Sequence, residues 1–217
     1  MGIFRKSLSF VSLAATMLVS VNVNAESAGN YAVSSDYLWR GATQSGHGAA
    51  VSGGLDYSHD AGVYAGTWSS TVYGGAEIDF YGGMTKDLGG AAVDVGAIFY
   101  LYPQNTDANF FEVYAGGTAS IANFKAYYDI TNEQIYFTAG ADYDIKKNLS
   151  TNFTAGIYFD NGFGYTYSHY QLTITKTLKE VDFSLGVSAV HDDSPAVALL
   201  NDKPTAVVSL YKEFDFP

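Results

Sequence analysis

"AAVDVGAIFYLYP", residues 91–103, alternates with a period of two. Val93, Val95, Ala97, Phe99 and Leu101 fall on one face, and Asp94, Gly96, Ile98, Tyr100 and Tyr102 on the other. A carboxylate, a glycine and two tyrosines behind a row of apolar side chains describe a strand with one apolar and one polar surface. The same alternation returns in "LSTNFTAGIYFD" (149–160), where Leu149, Phe153, Ile157 and Phe159 oppose Ser150, Asn152, Thr154 and Tyr158. It returns again in "EVDFSLGVSAV" (180–190), where Val181, Phe183, Leu185 and Val187 oppose Asp182, Ser184, Gly186 and Ser188.

Twelve such runs are predicted: 30–40, 48–58, 62–70, 76–86, 91–102, 109–118, 121–130, 134–144, 148–159, 165–178, 181–191 and 204–214. Most approach the ~9–11 residues of a tilted strand that crosses a bilayer, and exceed the ~5–6 residues usual in a soluble sheet. The links alternate too. Short turns such as "SHDAG", "KDLGG", "DIKKN" and "TLKEV" follow the even-numbered runs, whereas "PQNTDAN", "FDNGFG" and "HDDSPAVALLNDKP" follow odd-numbered ones. Membrane barrels show this asymmetry, with short periplasmic turns and longer external loops. The expected fold is therefore all-β: a transmembrane antiparallel up-and-down β-barrel of about 12 strands. Lipid offers no water to unpaired strand edges, so a sheet within it must close. A strand spacing of ~4.8 Å and a tilt of ~40° give a backbone diameter of roughly 24 Å.

Composition agrees. The chain carries 18 Tyr, 14 Phe and 23 Gly among 217 residues, but only four Pro and no Cys. Aromatics favour strands, and the missing cysteines remove disulfides and thiolate metal sites. Residues 1–25 read as a signal peptide: Arg5 and Lys6, an apolar core over 8–21, and Val23-Asn24-Ala25 before the cut. The barrel is then expected over 26–217, in the bacterial outer membrane. Loss of Arg5 and Lys6 makes the net charge of −11 more negative still, which argues against nucleic-acid partners.

If the apolar face meets lipid, the polar face lines the lumen. The pore-lining set expected is Asp36, Arg40, Asp56, Glu77, Asp79, Asp94, Tyr100, Glu112, Tyr114, Lys125, Tyr136, Asp142, Asn152, Tyr158 and Asp182. Its acids far outnumber its two bases, Arg40 and Lys125, which suits a cation-preferring lumen. Trp39, Tyr57, Phe99, Tyr143, Phe159 and Tyr170 are expected at the membrane interfaces, where aromatic belts sit. "SSDYLWRGATQSGHG" (34–48) reads as the end of the first strand. Arg40 there points into the acid-rich interior and Trp39 out to the lipid headgroups.

Other chemistry is weaker. Ser168 and His169 are adjacent on a strand and so face opposite ways, and no Ser-His-acid set converges in the sequence. Asp192, Asp193, Asn201 and Asp202 crowd the longest loop but lack the spacing of a calcium loop. No phosphate loop, HExxH or dinucleotide fingerprint is present. No catalytic residue, metal or cofactor is assigned. The expected partners are membrane lipid and small hydrophilic solutes or ions, with a monomer as the default state.

"SSDYLWRGATQS", followed by "GGLDYSHDAGVYAGTWSSTV", resembles the TorF family of porins, also filed as uncharacterised exported proteins. Ser35, Asp36, Tyr37, Arg40, Gly41, Thr43 and Gln44 match its first segment, and Gly53, Gly54, Asp56, Tyr57, Gly62, Tyr64, Gly66 and Trp68 the next. The resemblance implies an outer-membrane pore without catalytic residues. One departure is "SLYKEFDFP", which runs past Phe214 and Phe216 to Pro217 rather than ending on an aromatic. Two other functions remain open: a closed structural or adhesive barrel, and an outer-membrane lipid-modifying enzyme.

Overall fold

The computed structural model describes residues 26–160, 165–192 and 203–216. The chain begins with β1 (Glu26–Ser34), then two very short strands, β2 (Leu38–Trp39) and β3 (Ala42–Thr43). Next come β4 (Ala50–Ser58), β5 (Val63–Val72), β6 (Gly75–Asp87), β7 (Ala91–Leu101), β8 (Phe110–Ala119) and β9 (Ala122–Asp129). The series ends with β10 (Gln134–Lys146), β11 (Leu149–Asp160), β12 (Tyr165–Leu178), β13 (Val181–Asp192) and β14 (Thr205–Asp215). β1 and β4 to β14 are the twelve strands of one closed antiparallel barrel, and β2 pairs only with β3. The ring closes where β1 pairs with β14 on one side and β4 on the other.

The alternation therefore reports a real closed sheet, and β12 coincides with its predicted run. The first run is the exception. It was expected over 30–40, but β1 ends at Ser34 and residues 35–49 leave the wall. The long connections gather at one end. The end holding Glu26 and Asp215 has only short turns, such as that between Leu178 and Val181; the other holds the long links, beside the tight turn between Val72 and Gly75. They are the turn end and the loop end below.

Period two gives the barrel two unlike surfaces. Val51, Val95, Phe124, Phe153, Leu172 and Leu185 stand exposed on the outer wall, part of an apolar belt around the circumference. Such a belt is far larger than the few hundred Å² a soluble monomer usually exposes; lipid matches it. Leu172 lies near the middle of β12, with half its surface exposed. Leu172→Arg is expected to cost about 2–4 kcal/mol when folding is measured by urea titration in lipid vesicles. An inert substitution there would count against burial of this belt in lipid. Tyr57, Phe99, Tyr143, Phe159 and Tyr170 all sit on the outer face.

Inside, large side chains lie across glycines of the neighbouring strand. Tyr81 is directly opposite Gly66 and Tyr114 directly opposite Gly96. A Cβ on either glycine would run into the opposing tyrosine. Bare glycine lets each ring lie flat against the wall, so one strand's missing side chain makes room for its neighbour's large one.

Candidate functional site

Residues 35–49 fold back into the barrel from the loop end. β2 and β3 form a two-residue hairpin whose tip is Arg40 (φ 52°) and Gly41 (φ 86°). Positive φ at both central positions is the requirement of a type I′ turn, the tight turn whose twist matches paired strands. Asp36 braces the base of this hairpin. The Thr43 hydroxyl donates to its Oδ1 at 2.7 Å, the Ser45 hydroxyl lies 2.8 Å from the same atom, and His47 Nδ1 is 2.9 Å from Oδ2. Asp36, expected on a strand, is thus a loop residue that holds the hairpin's shape.

The tip enters the lumen near its loop end, meeting β8 to β11 two residues in from that end of each strand. Arg40, 1% exposed, donates from Nη2 to Glu112 Oε2 at 2.7 Å. Tyr100 donates to the same oxygen at 3.0 Å. The guanidinium carbon lies 4.1 Å from the Trp39 ring centre, 4.2 Å from Tyr136, 5.0 Å from Tyr127 and 5.6 Å from Tyr158. Each such stacking adds about 0.5–2 kcal/mol where water is excluded.

Three of these partners, Tyr127, Tyr136 and Tyr158, come from a single rung of the wall. Tyr114, Tyr127, Tyr136, Tyr158 and Tyr167 are successive cross-strand neighbours on β8 to β12. Their ring centres are spaced 5.5, 5.6, 6.3 and 5.2 Å apart in that order. His169 stacks on Tyr136, with its Nε2 2.8 Å from the Tyr136 hydroxyl, and is fully buried. Its Nδ1 has no partner.

Further polar groups line the interior. Near the hairpin, Tyr37 and Tyr102 donate to the two oxygens of Glu77 at 2.6 and 2.5 Å. Asp79 on the same strand is buried with its Oδ1 unpartnered. On the turn-end side of the Arg40–Glu112 pair, Lys125 donates to Asp94 at 2.8 Å and Tyr64 donates to the other Asp94 oxygen at 2.6 Å. Asp56 accepts from Tyr81 and Asn30, Asp182 from Thr177. Asp142 accepts from Asn123 and Asn152 at the turn-end mouth. At the loop end an open hollow of about 190 Å³ is lined by Gln44, Tyr73, Tyr102, Gln104 and Asn105.

One expectation is overturned. Trp39 does not face lipid headgroups; its ring packs edge-on against Tyr100, Phe110 and Tyr158 within the barrel. The wall strand stops at Ser34, and the Arg40-Gly41 turn takes Trp39 inward with its neighbour. Arg40 does point inward, but from a hairpin tip rather than a strand. Among the residues missed were Tyr37, Trp68 and His169. His169 was within reach, because outward Tyr170, Leu172 and Ile174 place Tyr167, His169 and Gln171 inside. Ser168 points to the opposite face from His169. The loop residues Asp193, Asn201 and Asp202, and residues 1–25, lie outside the described residues.

Gly41 has little room. A Cβ there would lie 2.7 Å from the His169 Cβ and 2.8 Å from Val190 Cγ2, on a backbone at φ 86°. Gly41→Ala is expected to weaken docking of the hairpin by about 1–3 kcal/mol, seen as faster trypsin cleavage after Arg40. Unchanged protection would contradict the close fit.

The family model for Gcw_chp, described as a bacterial protein of unknown function, matches residues 21–212, and the chain belongs to that family. No curated protein matches the sequence. Among solved structures, the fold is similar to a "KdgM porin" at a TM-score of 0.63 and 9% identity, covering 88% of this chain and 99% of that one. A "KdgM porin in complex with disordered oligogalacturonate" is similar at 0.61 and 8% identity, covering 88% and 99%. A "NanC porin" is similar at 0.56 and 11% identity, covering 86% and 97%. At these identities the likeness is one of fold.

Proposed function

We propose that this chain is an outer-membrane channel for passive diffusion of small hydrophilic solutes, preferring cations, with the 35–49 hairpin setting its constriction. The observation that carries the reading is the pairing of an apolar outer belt with an interior lined by carboxylates, tyrosines and amides. A barrel that served only as an anchor has no need of so many desolvated charges. The porin-like fold and the resemblance to the TorF family support the same reading. So does the leader-like stretch at 1–25, which would export the chain to the membrane its belt fits. The signal peptide, the monomeric state and the absence of catalysis are parts of this proposal.

The acid excess supplies the charge preference. Lys125 and Arg40 each neutralise one carboxylate, and Glu77, Asp79, Asp56, Asp142 and Asp182 have no cationic partner in the contacts described. The test is single-channel recording of refolded protein in a planar bilayer under a KCl gradient. Discrete steps with a cation-directed reversal potential are the expected result. Anion selectivity would leave a pore but overturn the acidic filter.

A second reading has its own observation. Arg40, Glu112, Tyr136 and His169 are almost wholly buried at one level, as in a closed barrel whose loops do the binding. Silence from protein that is inserted and heat-modifiable on a detergent gel would favour it.

A further inference from the structure

The side chains that hold Arg40 belong, Trp39 apart, to the barrel wall rather than to the hairpin. Glu112 stands on β8, Tyr127 on β9, Tyr136 on β10 and Tyr158 on β11. The three tyrosines are fixed relative to one another by direct cross-strand pairing, and Glu112 is fixed by its bond from Tyr100. Three aromatic faces and a carboxylate converging on one planar cation are the chemistry by which proteins select guanidinium groups. The cation they hold belongs to the chain itself, at the tip of a hairpin attached only through residues 35–49. Its Nε has no partner and Nη2 carries the bond to Glu112, so the wall holds the outer end of the guanidinium, the part that a free solute could equally present.

We propose that this wall cage is a binding site for guanidinium-bearing solutes, and that Arg40 is a built-in occupant which such a solute displaces from it. The inference rests on the channel reading for its biological sense, since displacement would free the hairpin and widen the passage, but the site can be tested apart from conduction. The two tryptophans provide the signal: Trp39 touches the cage, and Trp68 lies elsewhere on the inner wall, against Tyr37.

The experiment titrates the full-length Arg40→Ala protein, refolded in detergent, with ethylguanidinium and, separately, with ethylammonium, following tryptophan fluorescence. Saturable binding of ethylguanidinium is expected, at least about tenfold tighter than for wild type, whose cage is already filled. Ethylammonium, with no planar fork, should bind more weakly, and Arg40→Ala/Glu112→Ala should lose most of the affinity. No saturable response, or the same response with Glu112 removed, would overturn the proposal. If Arg40→Ala does not refold, a protein in which residues 36–48 are replaced by a Gly-Ser turn leaves the wall cage intact. In that protein Trp68 and quenching by a fluorescent guanidine report the binding. Bilayer recording separates the two claims. Binding without current keeps the site and sinks the channel; wild-type current that ethylguanidinium leaves unchanged keeps the channel and sinks the displacement of Arg40.

Discussion

Replacing residues 36–48 with a short Gly-Ser turn should turn small conductance steps into large, stable ones without unfolding the barrel. The hairpin contributes nothing to the wall. β1 and β4 pair directly over nine residues, from Glu26 opposite Ser58 to Ser34 opposite Ala50, so the ring stays closed when the loop between them is shortened. Inside, the hairpin brings Tyr37, Leu38 and Arg40 into the lumen, each at most 7% exposed. A backbone cylinder of roughly 24 Å lined by one layer of side chains leaves a passage on the order of 10 Å wide once the plug is gone. Conductance in bilayers and heat-modifiable migration together check the outcome. A folded variant whose conductance equals that of wild type would show that the hairpin is not the constriction.

Glu112→Ala should produce the second large effect, by leaving the Arg40 charge buried without its counter-ion. Removing one partner of a buried pair usually costs about 3–5 kcal/mol, because the remaining charge stays desolvated. The barrel has a cheaper escape than unfolding, which is to release the hairpin to water. Trypsin reads this directly, since the bond after Arg40 can be cut only when the hairpin is out. Cleavage should quicken by roughly two to four orders of magnitude, the factor that free energy implies when opening is fast relative to cutting. Arg40→Met/Glu112→Leu removes the charge with its partner and should restore much of the docking, while leaving no trypsin site at residue 40. For that variant, protection is therefore read with chymotrypsin at Tyr37 and Trp39. Equal cleavage of wild type and Glu112→Ala would show that the ion pair does not hold the hairpin.

Sequence reading went furthest where it depended on period. A strand half in lipid and half in water-facing lumen must alternate, and a membrane sheet must close, so the twelve runs and the two faces follow from residue order alone. Asp94, Glu112, Tyr136 and Asp182 could be placed inside by parity before any coordinates. Parity fails at Ser34, where the chain leaves the sheet. Residues 35–40 still alternate, and nothing in their order shows that Trp39 turns inward instead of toward lipid. The cue was Arg40-Gly41, a weaker turn signal than Asn-Gly because arginine seldom adopts positive φ.

By itself, the sequence determined the class of the molecule: an acid-rich chain whose alternation requires a closed barrel with an apolar outside. Only the tertiary structure decided what fills that barrel. Register between strands places five tyrosines on one rung, and each register shift of one residue would turn its strand's side chains to the other face. Chain folding brings Arg40 to Glu112, 72 positions further along. Period is a local property that one strand expresses alone. Register and loop insertion are set by contacts among strands far apart in the chain, and a single sequence does not display them.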